Sequence, residues 1–155
     1  MIQRIPFDST LWVSKTSDME DPVPLLRRAI AGAPNTDEMY DLLDCLYETD
    51  NPSPQFFYAI PYLLDILEPN VKEMLGPIKA FCRQIHGLRH VSETDERRKQ
   101  LESCEERILR MIAKSLVAMR AECGFEDIAV LLSGIANMLG HTDLGHQISE
   151  LNEHG

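Results

Sequence analysis

Residues 39–67, MYDLLDCLYETDNPSPQFFYAIPYLLDIL, restrict the fold of this chain more than any other segment. Two stretches with apolar residues at three- and four-residue steps flank Asn-Pro-Ser-Pro, a pattern that specifies two helices joined by a short turn. In the first, Met39, Leu42, Leu43 and Leu46 supply a buried side. Asp37, Asp41, Asp44 and Glu48 align along another side at steps of four, three and four. In the second, Phe56, Phe57, Ile60, Leu63, Leu64 and Leu67 make an apolar side too wide for a surface helix. Pro61 lies within that run, where its missing N–H and crowded preceding turn predict a kink. A hairpin with one apolar and one acidic side suits stacking on other helices while presenting charge to a partner.

The remaining segments follow the same helical period, and strict two-residue alternation persists nowhere. The expectation is an all-α chain of about six or seven helices in short antiparallel hairpins, with no sheet. Residues 1–155 read as one domain, with 1–20 an irregular N-terminal arm anchored by Trp12. Asp21 and Pro22 open a first helix whose stripe is Val23, Leu26 and Ile30, ending at Gly32 and Pro34. Asn35 or Thr36 caps the next helix, which runs to about Glu48. Ser53 and Pro54 open the following one. Asn70 reads as the cap of a helix carrying Val71, Met74, Leu75, Ile78, Phe81, Cys82 and Ile85, split or bent at Gly76-Pro77. The longest helix runs from Ser92 to about Cys123, with Leu101, Cys104, Ile108, Met111, Ile112, Leu116 and Met119 on its stripe. Phe125 to Leu139 is apolar almost all round, as expected at the centre of a bundle. Leu144, Ile148 and Leu151 mark a weaker last helix.

Charge narrows the partner class. Lys plus Arg is 15 against 25 for Asp plus Glu, a formal net charge of -10. Such a chain repels nucleic acid and anionic membranes and favours a basic protein partner. No apolar run approaches the ~20 residues needed to span a bilayer. Cys45, Cys82, Cys104 and Cys123 form no C-x-x-C pair, and the start, MIQRIPFDSTLWVSK, lacks the pattern of a secretory signal. Buried free thiols in a reducing cytoplasm follow. His86 and His90 have the spacing of a two-His metal site, but Gly87 interrupts the helix there and no zinc motif accompanies them. There is no phosphate loop, H-E-x-x-H or G-x-S-x-G. The expectation is a protein that is not an enzyme and needs no cofactor or metal.

Ala59, Pro61, Tyr62, Leu63, Leu64, Ile66 and Leu67, following the polar turn after Leu46, carry a resemblance. The hairpin resembles the HEAT-like repeat of small bacterial proteins, in which a helix ends in a polar turn and the next contains Pro, an aromatic and paired leucines. The match covers about a fifth of the chain, and the second half departs from it, since the Pro-aromatic-Leu-Leu signature has no second copy. The resemblance implies a HEAT-like solenoid, with an irregular helical bundle as the alternative architecture. It also implies an immunity-type protein that binds a secreted toxin and occludes its active site. On that reading Asp37, Asp41, Asp44 and Glu48 pair with a basic cleft, and Tyr58 or Tyr62 supplies an anchor at the rim. A nuclease is a natural target because its cleft already accepts phosphates. The alternatives are an adaptor or scaffold subunit, including a homo-oligomer, and an enzyme using His86 and His90.

Overall fold

In the computed structural model, residues 4–12, 21–32, 34–48, 51–52, 54–88, 95–118 and 125–138 are described, together with 143, 146–148 and 150. The chain is all-α. Six α-helices are described: α1 (Val23–Ala31), α2 (Thr36–Leu46), α3 (Pro54–Leu67), α4 (Leu75–Leu88), α5 (Asp95–Ala118) and α6 (Phe125–Met138). Short 3-10 helices lie at Thr10–Trp12 and Glu68–Asn70. One departure from the helical expectation is a small antiparallel ladder, in which β1 (Tyr47–Glu48) pairs with β2 (Asn51–Pro52) between α2 and α3.

Helix starts follow local chemistry. The Asp21 carboxylate accepts the Val23 N–H at 3.0 Å, and Pro22 already has helical dihedrals, so its missing donor costs nothing there. Asn35, rather than Thr36, caps α2: its Oδ1 accepts the Glu38 N–H at 2.8 Å. Met39, Leu42, Leu43 and Leu46 are buried, as the stripe requires. In α1 the stripe is Val23, Leu26 and Ala29. Ile30 is exposed and lines a surface cavity of about 340 Å³ with Pro34, Ile66 and Asn70. Asn70 does not open α4. Its side-chain amide donates to the Ile66 carbonyl at 2.8 Å and so satisfies an acceptor at the end of α3. Gly76 and Pro77 stand in the first turn of α4, where a residue without an N–H is tolerated, so they begin the helix instead of splitting it.

The packing order has a simple form. α1 packs on α3 and α3 on α5; α2 packs on α4 and α4 on α6; α1 joins α2 and α5 joins α6. Odd-numbered helices therefore form one layer and even-numbered helices a second, the order that three stacked hairpins produce. Phe56 of α3 stacks on Phe81 of α4 at 6.0 Å, and the Gln84 amide of α4 donates to the Leu43 carbonyl of α2 at 3.3 Å. α6 packs closely at Gly134, where an added Cβ would meet Cys82 Cβ and Ile112 Cδ1 at 3.4 Å, ordinary contact distance.

Position within this order corrects the reading of α6 as the central helix. From Gln55 to Leu67, every residue of α3 except Tyr62 and Asp65 is buried, because α1 and α5 flank it and the N-terminal segment covers it. Pro61 lies within α3 without ending it. Among the six described α-helices, α6 is the last of its layer, and Leu132 is exposed. On α5, Leu101, Cys104, Ile108, Met111 and Ile112 are buried. Met119, Cys123 and most of the expected last helix lie outside the described residues.

Candidate partner-binding surface

The acidic side of α2 begins at its cap. Asp37 and Glu38 occupy the first turn, where the helix dipole favours carboxylates. Asp41 and Asp44 continue the row, and all four side chains are exposed. Among the described residues no cation forms an ion pair with Asp37, Asp41 or Asp44. Asp44 lies in the last turn, at the negative end of the dipole, with no basic residue there to offset it. Carboxylates three and four residues apart also repel by a few tenths of a kcal/mol per pair. Asp37 is thus offset by the dipole, whereas Asp41 and Asp44 carry a cost with no ion pair among the described residues to offset it.

Glu48 is not part of that helical row. The helix ends at Leu46, and pairing with Asn51 draws Glu48 into the ladder. The expected row of four is therefore three aspartates, with Glu48 beyond the helix.

Tyr58 and Tyr62 depart further from expectation. Tyr58 is only 7% exposed and meets the edge of Trp12 at 6.3 Å. Tyr62 stacks on Phe7 at 4.6 Å, and its hydroxyl donates to the Ile5 carbonyl at 2.6 Å. Trp12 is itself buried and donates its indole N–H to the Pro6 carbonyl at 2.9 Å. The N-terminal segment thus occupies the face that the two tyrosines line. They anchor the arm to α3, and the rim position expected for Tyr58 is corrected by its burial.

Two other carboxylates, Asp65 and Glu68, are engaged in a network that the sequence reading missed. Glu68 is buried at the end of α3. It accepts from Arg107 Nε at 2.8 Å, Arg110 Nε at 2.6 Å and Lys114 Nζ at 3.1 Å, all from α5. Asp65, one turn earlier, takes Arg107 Nη1 at 2.7 Å and the paired Nε and Nη2 of Arg4 at 3.1 and 2.9 Å. Burial pushes the Glu68 carboxyl up, but hydrogen bonds from Arg110, Arg107 and Lys114 outweigh it and bring the pKa down to about 2. Asp65 is likewise lowered: burial raises it, and the hydrogen bonds from Arg4 and Arg107 prevail. A signal was present, because Arg107, Arg110 and Lys114 recur at helical steps on α5. Their acidic partners lie about forty residues earlier in the chain, so the pairing itself was not legible.

Chemistry at the other candidate groups is quiet. Cys82 and Cys104 are buried free thiols; burial pushes Cys82 up to about 12 and raises Cys104. Cys45 is half-buried, and Cys123 lies outside the described residues. Among the described residues no three His, Cys, Asp or Glu side chains gather to hold a metal, and none of their helices is long and apolar enough to cross a membrane. The side chain of His86, and all of His90, fall outside the description. No protein-family model, curated protein or solved structure matches the chain.

Proposed function

We propose that this chain is a binding protein whose acidic α2 face docks a basic protein partner. One observation carries the reading. Asp65 and Glu68 are paired internally, whereas Asp37, Asp41 and Asp44 are solvent-facing, mutually repelling and without an ion-pair partner among the described residues. Cations of a partner would relieve that repulsion on binding, and the net charge of -10 would speed the encounter. With the HEAT-like resemblance of residues 39–67, the favoured partner is a secreted toxin whose basic cleft the chain occludes in the cytoplasm. A nuclease fits that chemistry. The two-layer stacking of hairpins supports the solenoid form of the reading, since such bodies offer extended faces to partners.

Co-expression with the product of the immediately upstream gene, scored by cell survival and co-purification, tests this. Rescue with a stable complex supports neutralisation by binding. Rescue without a complex contradicts it and indicates an enzyme that reverses damage. A harmless neighbour that does not bind favours the adaptor reading.

A further inference from the structure

The N-terminal segment, residues 4–12, closes its own turn. The Ser9 N–H donates to the Pro6 carbonyl at 3.0 Å, and the Trp12 N–H donates to the Ser9 carbonyl at 3.4 Å. The Ser9 hydroxyl accepts the Leu11 N–H at 3.2 Å, and the Trp12 indole N–H returns to the Pro6 carbonyl at 2.9 Å. A segment that supplies partners to its own backbone can move as one piece without taking a bond from any helix.

Its polar bonds to the body are ones that opening leaves satisfied. Arg4 holds Asp65, but the two side chains are 44% and 35% exposed, so water screens the pair. Asp65 also keeps Arg107 at 2.7 Å and remains paired when Arg4 leaves. The Tyr62 hydroxyl and the Ile5 carbonyl, bonded to each other when closed, both bond to water when open. The Gln55 amide reaches the Trp12 carbonyl only at 3.4 Å, and its Oε1 is buried with no donor among the described residues. A buried acceptor without a donor raises the free energy of the closed form, and access to water relieves it. Apolar contacts oppose opening. Trp12 and Ile5 are buried, Phe7 stacks on Tyr62, and the Arg27 guanidinium lies 4.9 Å from the centre of the Phe7 ring. These contacts make the closed form the ground state.

We propose that residues 4–12 are a strap that opens as one piece while the helices stay folded. Closed, the strap covers Tyr58 and the face of Tyr62 that Phe7 stacks on. Open, it presents both tyrosines and Gln55 to solvent, so its position sets whether this face of α3 can be reached. The Arg4–Asp65 pair is the latch, because it is the bond that ionic strength weakens. The strap lies on α3 and does not depend on the docking role of the α2 carboxylates.

The test uses the full chain, in which Trp12 is the sole tryptophan and reports the strap alone. Trp12 emission and far-ultraviolet circular dichroism are followed together through a urea titration. The emission should shift to the red at lower urea than the loss of helix, and with a smaller slope, because the strap exposes less surface than the whole chain. Arg4→Gln should raise the open fraction about two- to fivefold at a given urea concentration, the effect an ion pair of this exposure carries, and leave the helical midpoint in place. High salt should act on the wild type in the same direction and leave Arg4→Gln unmoved. Coincident emission and helical transitions in the wild type would overturn the proposal. So would an Arg4→Gln variant that moves both midpoints together, or neither.

Discussion

Replacing Glu68 by Gln removes the charge on which Arg107, Arg110 and Lys114 converge while keeping the shape of the side chain. The fall of its pKa from an ordinary 4.5 to about 2 corresponds to a ceiling of about 3 kcal/mol of stability at neutral pH. Arg110 and Lys114 are about half exposed, so solvent screening brings the expected loss to about 2 kcal/mol. For a chain of this length that is a drop of about 4–8 °C in Tm. The pH dependence is the sharper reading. A depressed carboxylate stabilises the fold above its unfolded pKa, and that contribution is lost as pH falls from 4.5 towards about 2. Urea unfolding of the wild type and Glu68→Gln should therefore differ by about 2 kcal/mol at neutral pH and converge at about pH 2. No difference at neutral pH, or the same gap throughout, would refute the network as a source of stability.

Three further outcomes check the packing. Gly134→Ala should be neutral or stabilise by up to about 1 kcal/mol in thermal melts, since its Cβ would meet Cys82 and Ile112 at ordinary contact distance and alanine favours the helix. In a Cys45→Ser, Cys123→Ser variant, the remaining Cys82 and Cys104 should not react with a thiol reagent until denaturant opens the core, as their burial and raised pKa values require. Tyr62→Phe should cost about 1 kcal/mol by loss of the hydrogen bond to the Ile5 carbonyl. The emission of Trp12, the sole tryptophan, should shift to the red if that loss loosens the arm.

What could be read from the residues was local. The α2 stripe and the two caps, Asp21 and Asn35, depend on neighbours within a turn, and the structure keeps them. Asn70 was legible as a capping residue but not as the cap of the preceding helix, because an amide can serve either end. Two helices, α3 and α6, are apolar on most sides, and only the stacking order decides which of them is enclosed. The candidate surface divided in the same way. Asp37, Asp41 and Asp44 follow from helical spacing. Glu48 leaves the row because the ladder ends the helix early, and Tyr58 and Tyr62 are covered by a segment about fifty residues away. Long-range pairing of this kind has no signature at either site alone.

The central claim is that the α2 carboxylates are kept for a partner at some cost to the fold. The most direct test is calorimetric titration of the co-purifying partner with wild type and with the triple variant Asp37→Asn, Asp41→Asn, Asp44→Asn, at low and high salt, alongside thermal melts. The account predicts that the variant binds at least about tenfold more weakly at low salt, that the difference narrows at high salt, and that its Tm stays close to that of the wild type, because the repulsion relieved offsets the dipole interaction lost at Asp37. Unchanged affinity in a folded variant would contradict it.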